Sequence, residues 1–169
     1  MKIANLASHV GAWMRDFGQA VPETIQAPTD ETRRMRHQLI YEEANELFAA
    51  KTDAERLDAI ADLLVVVVGA AAGLGISGKT LEAHLVDVLA ANDAKLWTLQ
   101  ESQTIPDRWT ATRVPWAPKY AVRDQTGKIR KPPGWVAPDP QKHIDAQRRG
   151  EDRKSTRLNS SHSSVSRMP

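Results

Sequence analysis

The feature that most constrains this chain is an apolar run carrying two aspartates. Leu57, Ile60, Leu63, Leu64 and the unbroken Val65–Val68 occupy every side of a helix, the pattern of an element covered all round. Asp58 and Asp62 interrupt that run at i and i+4, on one face. The most apolar stretch, Ile60 to Ile76, contains Asp62, Gly69, Gly73 and Gly75. It falls short of the roughly 20 apolar residues that cross a bilayer, so it predicts a buried helix and no membrane partner. A buried carboxylate without a counter-charge costs several kcal/mol. These aspartates therefore call for cations. The alternative is that Asp58 merely flanks the helix start and Asp62 bonds to a neighbouring helix.

Three further helices are expected around it. The first covers about Asn5 to Phe17, with Leu6, Val10, Trp13, Met14 and Phe17 at helical spacing. Pro22 and Pro28 mark a loop, and Thr29 or Asp30 caps a second helix that runs to about Ala50. Asp53 is expected to cap the apolar third helix, Ala54 to about Leu74, which Gly73 and Gly75 end. Ser77 or Gly78 opens a fourth, to about Trp97. Beyond it, five prolines between Pro106 and Pro133 and four tryptophans from Trp97 to Trp135 predict an extended, irregular arm. The fold class is all-α: a four-helix core over residues 1–98 and a Pro/Trp-rich C-terminal arm over 99–150.

Helix two carries its own anomaly. At about 100° per residue, Leu39, Arg36, Leu47 and Ile40 share one quadrant, and Glu43 falls between Leu39 and Leu47. Glu46 lies at the stripe's edge beside Met35, and Glu42 directly precedes Glu43. Charged residues on helices usually form a solvated face, but Glu43 stands inside the apolar one. Nearby basic residues are too few and poorly placed to pair all five acids, whereas a hard divalent cation such as Mg²⁺ takes oxygen ligands from several at once. On helix four, Asn92 falls within the stripe of Leu81, Leu85, Val88, Leu89 and Leu96, with Lys95 at its edge. That pair either makes structural hydrogen bonds or offers an amide and a cation to a phosphate.

Charge first suggests a polyanion partner, with 23 basic residues against 21 acidic. The C-terminus undoes that. Residues 152–162, DRKSTRLNSSH, translate a string resembling a common short-read sequencing adapter, and SRMP at 166–169 resembles the same adapter beyond its index. Residues 151–169 are therefore expected to be translated adapter and disordered, the alternative being a native Ser/Arg-rich tail. Without the segment from Asp152 onward the net charge is −1 rather than +2, and a nucleic-acid polymer is no longer indicated. The absence of cysteine excludes disulfides and thiolate metal sites. It suits a cytoplasmic protein, as does an N-terminus without the pattern of a signal peptide.

The segments EEANE, DAIAD leading to VVG, and DVLAANDAK together resemble the all-alpha NTP pyrophosphatase superfamily, which includes MazG-like and phosphoribosyl-ATP pyrophosphohydrolase-like proteins. The closest look is to short phage and bacterial members, in which a Gly-Lys segment and a Pro-rich ending follow helix four, as TGKIRKPPGWVAPD does here. The resemblance implies a Mg²⁺-dependent hydrolase, with Mn²⁺ as substitute, that cuts a nucleoside triphosphate to a monophosphate and pyrophosphate. It implies Glu43, Glu46, Asp58 and Asp62 as metal ligands, with Glu42 orienting water or supporting the ligands. Asn92 and Lys95 resemble ligand contacts; Lys128, Lys131 and Trp135 in the arm are further candidates for phosphate and base. One departure stands out. The wider pattern has Glu-x-x-Asp on helix three, and this chain has Ala59 three residues before Asp62. A homo-oligomer, dimer or tetramer, is expected because a four-helix core is too small to cover helix three. The competing reading is a catalytically silent helical dimerisation or nucleotide-sensing module.

Overall fold

In the computed structural model, which describes residues 2–150, the helices form where apolar periodicity and caps coincide. The order is α1 (Ile3–Asp16), α2 (Asp30–Ala49), α3 (Asp53–Gly73), α4 (Gly78–Asp93), α5 (Leu99–Ser102), β1 (Thr110–Arg113), β2 (Tyr120–Arg123) and α6 (Gln141–Arg148). The fold class is all-α, with one two-stranded sheet among the described residues. No single described helix is long and apolar enough to cross a membrane. The expected adapter segment, 151–169, lies outside the described residues.

The chain divides into two units, one of residues up to Ala83 together with the segment from Pro140, the other His84–Asp139. In the first, Ala7, Val10 and Met14 of α1 pack on Val68 and Ala72 of α3, with Leu6, Val21, Val65 and Leu81 around them. Only part of the expected α1 stripe is inward. Trp13 and Phe17 stay exposed, their rings 4.8 Å apart, with Phe17 just past the end of α1.

Caps fix the hairpin of α2 and α3. Thr29 Oγ1 accepts from Thr32 N at 3.1 Å, with Asp30 and Glu31 in the positive first turn. At α3 the cap is Thr52, not Asp53: Thr52 Oγ1 accepts from Glu55 N while the Glu55 carboxylate accepts from Thr52 N, a capping box. Asp53 is helical and pairs with Arg56 at 2.7 Å. The short connection 50–52 folds α3 back along α2.

α3 is not buried all round in the single chain. Its buried positions are Ala59, Val68, Gly69, Ala72 and Gly73, whereas Leu57, Ile60, Leu64 and Val67 are exposed. α2 buries no residue at all. One chain thus covers only the small-residue side of α3. Gly75 ends the helix with φ +73° beside Thr24, where a Cβ would collide with the backbone, and Gly78 opens α4 close against α1. Ser77 Oγ accepts from Thr80 N at 3.1 Å. The Gln147 amide of α6 closes this turn, donating to Gly75 O at 2.6 Å and accepting from Ser77 N at 3.0 Å.

The second unit corrects the expectation of an irregular arm. α4 stops at Asp93, short of Trp97. Trp97 is buried instead in a bridge with Tyr120, its indole N–H donating 2.8 Å to Arg130 O and its ring edge-on to Trp109. β1 and β2 pair antiparallel, Thr110 opposite Arg123, and Val122 is fully buried. Asp124 builds the turn that follows β2: its Oδ1 accepts from Thr126 N, Thr126 Oγ1 and Lys128 N at 2.7–3.0 Å. These bonds, with the paired Arg130 guanidinium, pull the Asp124 carboxyl down to about 2.

Candidate active site

The α2–α3 hairpin brings together the acids that sequence reasoning singled out on both helices. Glu43 is partly buried, and its carboxyl lies above the ordinary range. Desolvation is the largest cause, followed by repulsion from Glu46, Asp62, Glu42 and Asp58. The crowding is the finding: five carboxylates share one region, and none of them forms an ion pair among the described residues.

The local chain explains the placement. Glu42, Glu43 and Glu46 occupy consecutive turns of α2, and the antiparallel return puts Asp58 and Asp62 on the facing turns of α3. Glu42 is exposed and accepts 2.9 Å from Gln38 Nε2, one turn back on its own helix. A cleft of about 400 Å³ opens at the hairpin end, lined by Glu46, Ala49, Ala50, Lys51, Glu55, Asp58 and Ala59. Ala59, which stands where the wider pattern has glutamate, is buried, while Asp58 is exposed on the cleft. Glu46, Asp58 and Asp62 are exposed rather than buried, the outer side of α3 being uncovered among the described residues. The donor set is all oxygen and lacks internal counter-charge, which fits a hard divalent cation such as Mg²⁺ or Mn²⁺.

A larger cleft, about 710 Å³, lies elsewhere in the same unit, between α1 and the α3–α4 turn, and none of the five carboxylates lines it.

The remaining candidates stand in the second unit. Lys95 Nζ donates 2.7 Å to Asn92 Oδ1, so these two form a local pair at the end of α4. Lys128 is exposed on the Asp124 turn. Arg130 pairs with Asp124 and lies 5.2 Å over the Trp109 ring, a contact that sequence reasoning did not anticipate. Lys131 lies 3.6 Å over the Trp135 ring, whose N–H donates 2.7 Å to Ala91 O.

Residues 10–87 match the model of the phosphoribosyl-ATP pyrophosphohydrolase family, which lies in the MazG-like all-alpha NTP pyrophosphatase superfamily, and the all-helical core is consistent with that likeness. The matched stretch holds α2, α3 and all five carboxylates and ends inside α4. It supports a hydrolase of pyrophosphohydrolase type. No curated protein matches the chain.

Proposed function

We propose that the protein is a Mg²⁺-dependent nucleoside triphosphate pyrophosphohydrolase that releases a nucleoside monophosphate and pyrophosphate. The observation that carries this reading is the crowding of Glu42, Glu46, Asp58 and Asp62 around Glu43 without a basic partner. Such a cluster repels a polyphosphate by itself, so it becomes a binding site only with a cation. Glu43, Glu46, Asp58 and Asp62 would hold the metal, Mg²⁺ or Mn²⁺ in its place. When bound, it supplies charge neutralisation to the phosphates and Lewis acidity to a water.

The chain's own contribution is positional. Glu43 and Asp62, on rigid facing helices, fix where the polyphosphate docks. Glu42, kept in place by Gln38, is a proton acceptor for the attacking water and is assigned no metal. Asn92, Lys95, Lys128, Lys131 and Trp135 are assigned to phosphate and base contacts. The test is pyrophosphate release from a panel of canonical and modified nucleoside triphosphates, with Mg²⁺ and with EDTA. Metal-dependent release of monophosphate and pyrophosphate is expected. Inertness toward the whole panel removes the reading.

A further inference from the structure

Arg36 is a cation for which the described residues provide no carboxylate. It lies on α2, partly buried, and burial lowers its pKa from the ordinary guanidinium value. Nη2 donates 2.7 Å to Gln19 Oε1 and approaches Met14 Sδ at 3.7 Å, while Nε is buried without an acceptor. No ion pair reaches it among the described residues. The guanidinium lies on the glycine face of α3: a Cβ on Gly69 would stand 3.4 Å from Nη1, and one on Gly73 would stand 3.5 Å from Nε. Filling that space needs no charge. An uncharged side chain would pack there at a lower desolvation cost.

Its position suggests what the charge is for. Arg36 precedes Glu43 by two helical turns, about 10 Å along the axis, on the same face. Gly69 follows Asp62 by the same interval on α3. The antiparallel hairpin thus sets Glu43 near Asp62 at one level and Arg36 against Gly69 at another. One side of the hairpin carries acids toward its closed end and a lone guanidinium farther along.

We propose that Arg36 binds the terminal phosphates of a polyphosphate whose metal-bearing part rests on Glu43 and Asp62, with Gln19 holding the guanidinium in place. The assignment rests on the pyrophosphohydrolase reading. A guanidinium presents planar donors that match phosphate oxygens, and a bound anion supplies the counter-charge that the fold omits. Because Gln19 is an amide and not an acid, it orients the side chain while leaving the positive charge uncompensated.

Titration calorimetry of the full chain with inorganic pyrophosphate in Mg²⁺ tests this. Arg36→Gln should weaken pyrophosphate at least about tenfold. Gln19→Glu is the sharper variant, since it keeps the guanidinium in place and supplies an internal carboxylate. It should weaken pyrophosphate by a similar factor, with Mg²⁺ affinity unchanged and the melting temperature equal or higher, a combination that a packing role alone would not produce. Pyrophosphate bound within twofold of wild type by folded Gln19→Glu overturns the proposal, as does a wild type without saturable pyrophosphate binding. The nucleotide panel separates the two readings. Pyrophosphate binding that depends on Arg36, in a protein inert to every triphosphate, removes hydrolysis but upholds Arg36. Hydrolysis intact with Gln19→Glu binding normally removes Arg36 alone.

Discussion

The ammonium of Lys131 lies 3.6 Å from the centroid of the Trp135 ring, so the aromatic proposed as a base platform carries a cation on one face. At an exposed site such a contact stabilises by about 0.5–1 kcal/mol, less than the roughly 1.5–3 kcal/mol of a hydrogen bond to a charged group. A phosphate presented to Lys131 is therefore expected to draw it off the ring. Lys131→Ala is expected to raise KM about tenfold or more, or to lower kcat where the contact tightens in the transition state. Steady-state kinetics check this, and unchanged constants return Lys131 to packing on Trp135.

Glu43→Gln and Asp62→Asn should each reduce Mg²⁺-dependent hydrolysis by at least about 100-fold while the helical circular dichroism stays unchanged. Glu43→Gln also removes one member of a crowd of like charges. Without metal it should melt at or above the wild-type temperature. With Mg²⁺ it should lose most of the rise in melting temperature that binding gives the wild type. Activity within threefold of wild type in either variant would end the metal assignment.

Leu57, Ile60, Leu64 and Val67 recur at helical spacing along the uncovered side of α3, with Leu57 70% exposed. Such a stripe is the signature of an association surface, and we expect a dimer or tetramer at micromolar concentration. Light scattering should show it, and Leu64→Glu should dissociate it. A stable wild-type monomer would mean that the stripe is free in solution.

The Asp124 carboxyl, held at about 2 against an ordinary 3.8, makes a pH-dependent contribution to stability. A depressed carboxyl stabilises above its unfolded value and loses that contribution as pH falls through the folded one. Asp124→Asn should therefore melt below wild type at pH 7, and the gap should close between about pH 4 and pH 2. Thermal melts across that range check it; a constant gap would place the stabilisation in hydrogen-bond geometry rather than charge.

The acids were legible because they broke a pattern. Glu43 between Leu39 and Leu47, and Asp62 ahead of a valine run, contradict simple amphipathicity, and the hairpin does bring these positions together. Their exposure was not legible, since periodicity records that a face is apolar and not what covers it. Helix ends were lost to tertiary and capping effects. Trp97 leaves the helical register for a buried bridge, and Thr52 outcompetes Asp53 through its reciprocal bonds with Glu55. The β1–β2 pair is not legible because its strands are very short and lie among prolines. Its signal lies in the alternation of Tyr120 and Val122, while the Asp124–Gly127 turn that follows marks only the return to the Arg123–Ile129 bridge. Arg36 also announced itself, by sharing a quadrant with leucines.

The Gln147 amide, bonded to both sides of the α3–α4 turn, means that the chain re-enters its first unit after completing the second. Residues 84–139 are in that sense an insertion, with both ends returning to one scaffold. Insertions of this kind tolerate replacement, because their two attachment points survive any change of what lies between them. The hairpin that bears the carboxylates is finished before the insertion begins. On the proposed function, the carboxylates and the candidates Lys128, Lys131 and Trp135 belong to different units, so a change confined to one unit leaves the residues of the other in place.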